Sequence, residues 1–366
     1  MKRRTLALIM LACLLLSGCS SWMDGSYAVV KPHTEQGYRE EHGITVVNTY
    51  MEMRNALVDM VASGVESGML SVQSFDQDSL DRQMKKVIAY IIRSDPVASY
   101  AVEDITYDVG TMAGVATVAV NISYIHNRSE IQRIKKVSGM EAAKELICSA
   151  LDQCAASLVM KVDNYKKIDY TQVVQDYAQI RPDMVIEQPQ VAASVYPNTG
   201  DVRVVELQFT YQTSRDSLRV MQSYVQPVFS SAALYVSGDG ESSVKYAQLY
   251  SFLMERNEYK LDTSITPCYS LLRHGVGDRR AFATVYAAMC HRAKLDCYVV
   301  SGTREGEPWF WNIIRQDDTY YHLDLLQSHL FEGYQIKADD QMQGYVWDYS
   351  AYPECKSKQT EETGGT

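Results

Sequence analysis

Hydrophobic and polar positions between residues 44 and 225 follow one pattern twice, with an offset of roughly 87 residues. Each copy predicts a helix, a short strand, a second helix and two alternating strands. In the first copy these elements are residues 55–62, 70–76, 80–92, 101–108 and 114–124. In the second copy they are residues 141–151, 158–163, 170–180, 190–196 and 201–211. The pattern therefore predicts an α+β fold with two tandem α-β-α-β-β repeats.

The repetition is clearest where Tyr124 and Arg128 align with Tyr211 and Arg215. Each Tyr–Arg pair lies just past a predicted strand and belongs to no catalytic motif. We interpret the pairs as structural turns in which the arginine holds the following segment. The alternative is a ligand-contact point that occurs twice. Two copies of a fold without catalytic residues favour spacing or recognition as their role.

The first 18 residues have the pattern of an export signal, with Lys2, Arg3 and Arg4 before a short apolar run. The sequence Leu16-Ser17-Gly18-Cys19 then resembles the lipobox of bacterial lipoproteins, in which the cysteine becomes the lipidated first residue. A plain secretory signal followed by an unrelated cysteine is the alternative. No later segment is apolar enough to cross a membrane. We therefore expect an exported, extracytoplasmic protein that is anchored to the cell membrane through lipidated Cys19.

Charge and composition narrow the range of partners. Cleavage after residue 18 leaves 32 basic and 45 acidic residues, a formal charge of −13. Such a charge argues against nucleic acid or an anionic surface as the main partner. The 26 tyrosines are typical of an exposed binding protein. Residues 19–43 are polar and without period, so we interpret them as a tether, with a partner-binding arm as the alternative.

The cysteine spacing indicates no metal site. Beyond Cys19, six cysteines remain, namely Cys148, Cys154, Cys268, Cys290, Cys297 and Cys355. An even number in an exported chain permits disulfides, but the sequence does not fix their pairing. Cys290 ends a predicted helix and Cys297 starts the next strand, so these two could face each other. No C-x-x-C pair or His/Cys cluster is present, and we expect no metal and no cofactor.

A third region, residues 242–355, begins with helical spacing over residues 243–254. A series of short motifs follows in a fixed order: Tyr269–Gly277, Phe282-Ala283, Met289–Cys297, Val299–Gly302, Trp311-Asn312, Tyr320–Asp324 and Met342–Cys355. This order resembles the transglutaminase-like superfamily, a papain-like thiol fold. The resemblance implies a further α+β domain, which in active members carries a Cys-His-Asp triad.

Matching the motifs residue by residue places the nucleophile of the family on Arg279, the base on Trp309 and the acid on Asp324. Arginine stays protonated at physiological pH and cannot attack an amide carbon. Tryptophan offers one N–H donor and no base. The retained aspartate would have no imidazole to orient. The resemblance therefore implies a catalytically degenerate domain, and the chain is more readily understood as a binding protein than as an enzyme.

The replaced residues suggest a different chemistry. Asp278 is a plausible N-cap, which places Arg279 in the first turn of a helix that already favours anions. An aromatic wall of Trp309, Phe310 and Trp311 would face it, and Asp324 could pair with the arginine. We therefore predict a binding surface formed by Arg279, Trp309, Phe310 and Asp324. Its ligand would be a peptide, a glycan or a partner protein.

Two other hypotheses stay open. The chain could be an active cysteine protease, amidase or transglutaminase in which Cys268 or Cys290 works with His322 and Asp324. The C-terminal domain could also be purely structural, with Trp309 and Trp311 filling the former cleft. The predicted segments are a signal peptide (1–18), a tether (19–43), two repeats (44–135 and 136–228), the transglutaminase-like domain (242–355) and a disordered tail (356–366).

Overall fold

The computed structural model describes residues 38–41, 43–236, 238, 240–261, 264–331 and 333–356. The predicted signal peptide, Cys19, most of the predicted tether and residues 357–366 lie outside this part, so the lipid anchor stays a prediction. Within the part that is described, no helix combines the length and the apolar character needed to cross a membrane.

A first compact unit comprises the described residues up to 91 together with residues 103–124. The elements between residues 38 and 124 are β1 (Arg39–Glu41), β2 (Ile44–Val46), α1 (Tyr50–Ser63), β3 (Ser67–Ser71), α2 (Gln77–Ser94), α3 (Pro96–Ala101), β4 (Val102–Met112) and β5 (Val115–Tyr124). Of these, α3 and the end of α2 belong to the second unit. The sheet of the first unit has the order β1-β2-β3-β5-β4, in which β2 and β3 are parallel. Met53 and Leu57 of α1, Met84 of α2, and Leu70 and Val118 of the sheet are completely buried. Both helices and the sheet thus contribute to its core.

The second unit begins with elements that follow the same succession. They are α4 (Arg128–Gln132), β6 (Lys135–Ser138), α5 (Gly139–Asp152), β7 (Ser157–Asp163), α6 (Tyr170–Ile180), β8 (Gln190–Tyr196), β9 (Arg203–Thr210) and α7 (Arg215–Tyr235). The sheet order is β6-β7-β9-β8, with β6 and β7 parallel and the other pairs antiparallel. Apart from β1, the first sheet has the corresponding order, β2-β3-β5-β4.

The α+β prediction is confirmed, and the structure adds elements to it. Each copy has a strand before its first helix, β2 in one and β6 in the other. These strands have only three and four residues, and β6 contains Lys135 and Lys136, so neither shows an apolar alternation. The 21-residue helix α7 after the second copy was also not predicted.

The two Tyr–Arg pairs occupy matching positions at the starts of helices. Arg128 and Arg215 are the first residues of α4 and α7, and the residue before each caps its helix. The Tyr124 hydroxyl donates to Val65 O at 2.9 Å, and Arg215 Nε donates to Gln153 O at 3.1 Å. The Tyr211 hydroxyl, by contrast, is buried without a hydrogen-bond partner among the described residues, so the interpretation of the pairs as structural turns stays a prediction.

The remaining elements of the second unit form a helical layer and a sheet. They are α8 (Ser242–Met254), β10 (Glu258–Tyr259), α9 (Pro267–His274), β11 (Val276–Gly277), α10 (Arg279–Arg292), β12 (Cys297–Arg304), β13 (Glu307–Gln316), β14 (Thr319–Leu323), α11 (Leu325–Leu330) and β15 (Tyr345–Trp347). The sheet is antiparallel with the order β14-β13-β12-β15. Every residue of α10 from Ala281 to Cys290 is buried, which makes this helix the centre of the core.

The boundary predicted between residues 228 and 242 lies inside one compact unit of the structure. Residues 92–102 and those from 125 onwards form one compact unit, so the second repeat and the C-terminal region are not separate bodies. An ion-pair cluster joins the two parts, because buried Asp183 binds both Arg181 and Arg292 of α10. Within the predicted second repeat, Gln222 of α7 donates a hydrogen bond to Met184 O at 2.6 Å. The sequence pattern gives no sign of such long-range contacts.

Candidate functional site

The site begins at the start of α10, where the chain turns sharply. Asp278 is the N-cap, as predicted, and its carboxylate accepts the Ala281 amide at 2.7 Å. A Cβ atom at Gly277 would lie 3.0 Å from the Leu271 side chain, so a larger residue here would require that side chain to shift. The turn places Arg279 and Arg280 in the first turn of α10.

Arg279 is held by aromatic rings. Its guanidinium carbon lies 3.7 Å from the centre of the Trp309 ring and 5.4 Å from that of Tyr259. Nη1 donates to Pro308 O at 3.4 Å, while the buried Nε has no hydrogen-bond partner among the described residues. Within the described chain Arg279 forms no ion pair with Asp324, contrary to the pairing we considered from the sequence. Trp309 instead contacts both residues, with its ring against Arg279 and its N–H toward Asp324.

Asp324 is buried and accepts four hydrogen bonds. Oδ2 accepts the Trp309 indole N–H at 2.6 Å and the Tyr345 hydroxyl at 2.8 Å. Oδ1 accepts the backbone amides of Leu326 and Gln327 at 3.1 and 3.0 Å, which caps α11. A carboxylate has about four lone-pair positions, so these bonds fill its capacity. Burial and the nearby Asp324 carboxylate raise the pKa of Tyr345, which keeps this hydroxyl a donor.

The aromatic wall predicted from the sequence is divided between the two faces of β13. Trp309 is only 8% exposed and Trp311 is completely buried, both in a cluster with Tyr345 and Trp347. Phe310 is half-buried and, by the alternation of a strand, points to the opposite face. The Arg280 guanidinium lies 5.8 Å from the centre of its ring. The predicted set is therefore divided into two stacks, with Arg279 on Trp309 at one face of β13 and Arg280 on Phe310 at the other.

We refer to Tyr259, Arg279, Arg280 and Phe310 as the arginine–aromatic surface. Arg280 is exposed, and the other three side chains each remain partly accessible. A cavity of about 220 Å³ adjoins this surface and is lined by Arg280, Thr284 and Cys268 among others. Trp309 and Asp324 lie behind the surface and fix its geometry.

The thiols proposed for a rearranged active site are poorly placed for catalysis. Burial, with a smaller effect of the Asp278 carboxylate, raises the pKa of Cys268 to about 12. Burial and the neighbouring Cys297 raise the pKa of Cys290 well above its usual value. Within the described chain neither thiol has a hydrogen bond with His322, whose ring nitrogens contact Trp311 and Asp339. A thiol nucleophile needs a lowered pKa and a base within reach.

Cys290 of α10 and Cys297 of β12 do lie together in the core, as the sequence suggested. The structure has both as free thiols, along with the other four cysteines of the described chain. Helix α5 ends at Asp152, between Cys148 and Cys154. Burial is the main cause that raises the pKa of these last two thiols.

One polar cluster was missed from the sequence. One ring nitrogen of His322, a carboxylate oxygen of Asp339 and the Cys355 sulfur lie within 4.8 Å of one another. His322 Nδ1 accepts the Trp311 indole N–H at 2.9 Å, so the ring proton is on Nε2, which donates to Asp339 Oδ1 at 2.7 Å. Burial lowers the pKa of His322 and is the main cause that raises the pKa of Cys355 to about 12.

Both ring nitrogens of His322 are thus occupied, which leaves none for a metal or for the thiol. Metal binding at Nε2 would move the proton to Nδ1, which faces the Trp311 donor. Asp339 and Cys355 also exchange backbone contacts, with the Asp339 amide donating to Cys355 O at 2.8 Å. These hydrogen bonds connect the C-terminal segment that contains Cys355 to strand β14, which contains His322. The members of the cluster lie far apart along the chain without a motif spacing, so no sequence signal identifies it.

Comparison with known proteins gives weak similarities only. No family model matches the chain, and no curated protein matches it. Among solved structures, a TGase is 11% identical with a TM-score of 0.26, covering 46% of this chain and 50% of its own. A candidate cysteine protease from Cytophaga hutchinsonii is 13% identical with a TM-score of 0.25, covering 43% and 70%. A candidate protease from Parabacteroides distasonis is 8% identical with a TM-score of 0.23, covering 60% and 35%.

The chain thus spans half the length of the TGase and about a third of the Parabacteroides protein. At these TM-scores the similarities assign neither a family nor an activity to the chain. Conclusions about the site therefore depend on its own residues.

Proposed function

We propose that this chain is a non-catalytic binding protein of the bacterial cell envelope, anchored through lipidated Cys19. Its ligand is held on the arginine–aromatic surface. The observation that carries this proposal is the saturation of Asp324 by Trp309, Tyr345 and two backbone amides. A carboxylate with these partners supports packing and does not orient a base.

Chemical considerations favour a ligand with an anionic group. Arg280 is exposed at the first turn of α10, and its neighbour Arg279 is positioned by two aromatic rings. A guanidinium that is held in place binds carboxylates with two parallel hydrogen bonds and loses little side-chain entropy. The free N–H groups of the helix start favour the same charge. Among the predicted ligand classes we favour a peptide or partner protein that presents a carboxylate.

A binding titration tests this proposal. A fluorescein-labelled peptide with three consecutive glutamates is titrated with the full chain, and binding is followed by fluorescence anisotropy. We expect Arg280→Gln and Phe310→Ala each to weaken binding about fivefold or more, in the range for loss of one charged or aromatic contact. Arg273→Gln is the matched control, because Arg273 is also an exposed arginine stacked on a tyrosine, Tyr224, within the same unit.

Affinity should fall as salt concentration rises, since the attraction is between exposed charges. The proposal is wrong if the wild-type chain does not bind this peptide, or if all three variants bind as the wild type does.

The second candidate function is a cysteine enzyme with a rearranged site. The proximity of Cys355, His322 and Asp339 is the observation that favours it. This function requires the hydrogen bond between Trp311 and His322 to break. It also requires Cys355 to become a thiolate, although its pKa is raised. Cleavage or cross-linking of amide substrates that disappears in Cys355→Ala, Cys268→Ala or Cys290→Ala would establish this function.

A further inference from the structure

Strand β8 (Gln190–Tyr196) lies at the edge of the second repeat's sheet. All seven residues pair with β9 in an antiparallel register, from Gln190 opposite Thr210 to Tyr196 opposite Val204. Within the described chain no other strand pairs with β8. An antiparallel edge strand turns the N–H and C=O of every second residue away from its partner. The outer edge of β8 is therefore a row of backbone groups that another strand can pair with.

This edge lacks the features that usually prevent pairing. The seven residues of β8 include no charged side chain and no proline. Natural edge strands commonly carry such residues to block unwanted pairing. Strand β4, which has the corresponding position in the first sheet, contains Glu103, Asp104 and Asp108. Strand β8 therefore has fewer features that oppose pairing than the strand at the corresponding edge of the first sheet.

A cavity of about 620 Å³ lies beside this strand. Val191, Ala193 and Val195 line it from β8, and because they alternate along the strand they share one face. Tyr165 and Tyr170 contribute aromatic surface. Lys167 contributes a positive charge, and the carboxylate of Asp169, which also lines the cavity, accepts the Thr171 and Gln172 amides at the start of α6. The volume is within the range of binding sites for small ligands and side chains.

Tyr170 carries a buried polar atom at the wall of this cavity. The side chain is only 7% exposed and lines the cavity. Its buried hydroxyl has no hydrogen-bond partner within the described chain, although Tyr165 lies nearby without suitable hydrogen-bond geometry. Buried polar groups are almost always paired, so a ligand that reaches this hydroxyl would supply the hydrogen bond that it lacks.

We propose that β8 binds an extended peptide segment of a partner protein by strand addition. The peptide pairs with the outer edge of β8 and places apolar side chains at alternate positions into the cavity. Its backbone or a polar side chain bonds the Tyr170 hydroxyl, and an acidic residue at one end meets Lys167. Backbone pairing supplies affinity, and the cavity selects for apolar residues at every second position. This site shares no residue with the arginine–aromatic surface.

The test uses a fluorescein-labelled peptide acetyl-Glu-Val-Thr-Val-Thr-Val-amide and the full chain. Binding is measured by fluorescence anisotropy, and amide hydrogen exchange of β8 is measured with and without peptide. We expect saturable binding, slower exchange in β8, and binding at least about tenfold weaker when the three valines of the peptide are replaced by lysine.

Ala193→Lys and Ala192→Lys form a matched pair. Both residues are exposed on β8, but Ala193 lines the cavity whereas Ala192 points to the other face. We expect Ala193→Lys to weaken binding about tenfold or more and Ala192→Lys to change it less than about twofold. Tyr170→Phe serves where Ala193→Lys does not fold. It removes the unpaired hydroxyl, so it should weaken peptide binding while leaving the melting temperature equal or higher.

Three results would overturn the proposal. The first is an absence of binding by the wild-type chain. The second is equal binding by the two lysine variants, or by Tyr170→Phe and the wild type. The third is slow exchange of β8 in the free chain that peptide does not change, because the chain itself or a second copy would then cover this edge.

Discussion

Replacing Asp324 with alanine should destabilise the C-terminal region far more than loss of an ordinary surface aspartate. The variant loses the cap of α11, which contributes about 1 kcal/mol. It also leaves the buried Trp309 N–H and Tyr345 hydroxyl without their acceptor, at about 1–3 kcal/mol each. The free energy of unfolding should therefore fall by about 3–7 kcal/mol.

Asp324→Asn separates the loss of the α11 cap from the loss of the acceptor for Trp309 and Tyr345. The amide oxygen still caps α11, and the amide nitrogen can donate to the Tyr345 oxygen, but it opposes the Trp309 N–H. We expect a loss of about 1–3 kcal/mol. Adding Trp309→Phe removes the opposing donor, so the two substitutions should couple by about 1–2 kcal/mol in a double-mutant cycle.

Urea unfolding provides the assay, followed by tryptophan fluorescence and circular dichroism. Three of the four tryptophans are Trp309, Trp311 and Trp347, so fluorescence reports mainly on this region. A loss below about 1 kcal/mol in both single variants would refute the reasoning, because it would mean that Asp324 does not hold these partners.

Three further predictions concern other parts of the second unit. Gly302→Ala should cost about 1–3 kcal/mol in urea unfolding, because the added Cβ would lie 2.3 Å from Val346 O; unchanged stability would contradict the β12–β15 pairing. Asp183→Ala should cost about 2–4 kcal/mol, since it leaves two arginines unpaired that are each about one third exposed; a neutral result would contradict the buried ion pairs. Burial lowers the pKa of His322 in the folded chain, so the unfolded chain binds more protons at this residue. The contribution of neutral His322 to the free energy of unfolding is therefore complete above about pH 6.5, and it is lost as pH falls through the folded pKa. Unfolding between pH 7.5 and 5 should show this loss, and His322→Gln should show less of it.

Local patterns in the sequence predicted local structure well. The structure has α6 at Tyr170–Ile180 and β8 at Gln190–Tyr196, the same bounds that the hydrophobic spacing indicated. The leading strands β2 and β6 were missed because a strand of three or four residues shows too few alternations. Helix α7 spans 21 residues and includes Pro227, which interrupts the local helix signal.

The site was predictable only in part. The motif register brought Arg279 and Trp309 together, and the structure places them in contact. The separation of Phe310 from Trp309 follows from strand alternation and could have been deduced. The four hydrogen bonds to Asp324 could not have been deduced from the sequence, because Tyr345 comes from a distant strand. Long-range hydrogen bonds of this kind leave no trace in the spacing of a single sequence.

Thiol reactivity distinguishes a non-catalytic chain from a cysteine enzyme. The folded chain is treated with iodoacetamide at pH 7.5, and mass spectrometry follows each of its six described cysteines. A thiol with a pKa near 12, as for Cys268 and Cys355, has roughly a thousandfold less thiolate than one at about 8.5. We predict that both react at least about a hundredfold more slowly than in urea, and that Cys290 is equally protected. One cysteine that reacts faster in the folded chain than in urea, and whose alkylation abolishes cleavage or cross-linking of an amide substrate, would contradict the account.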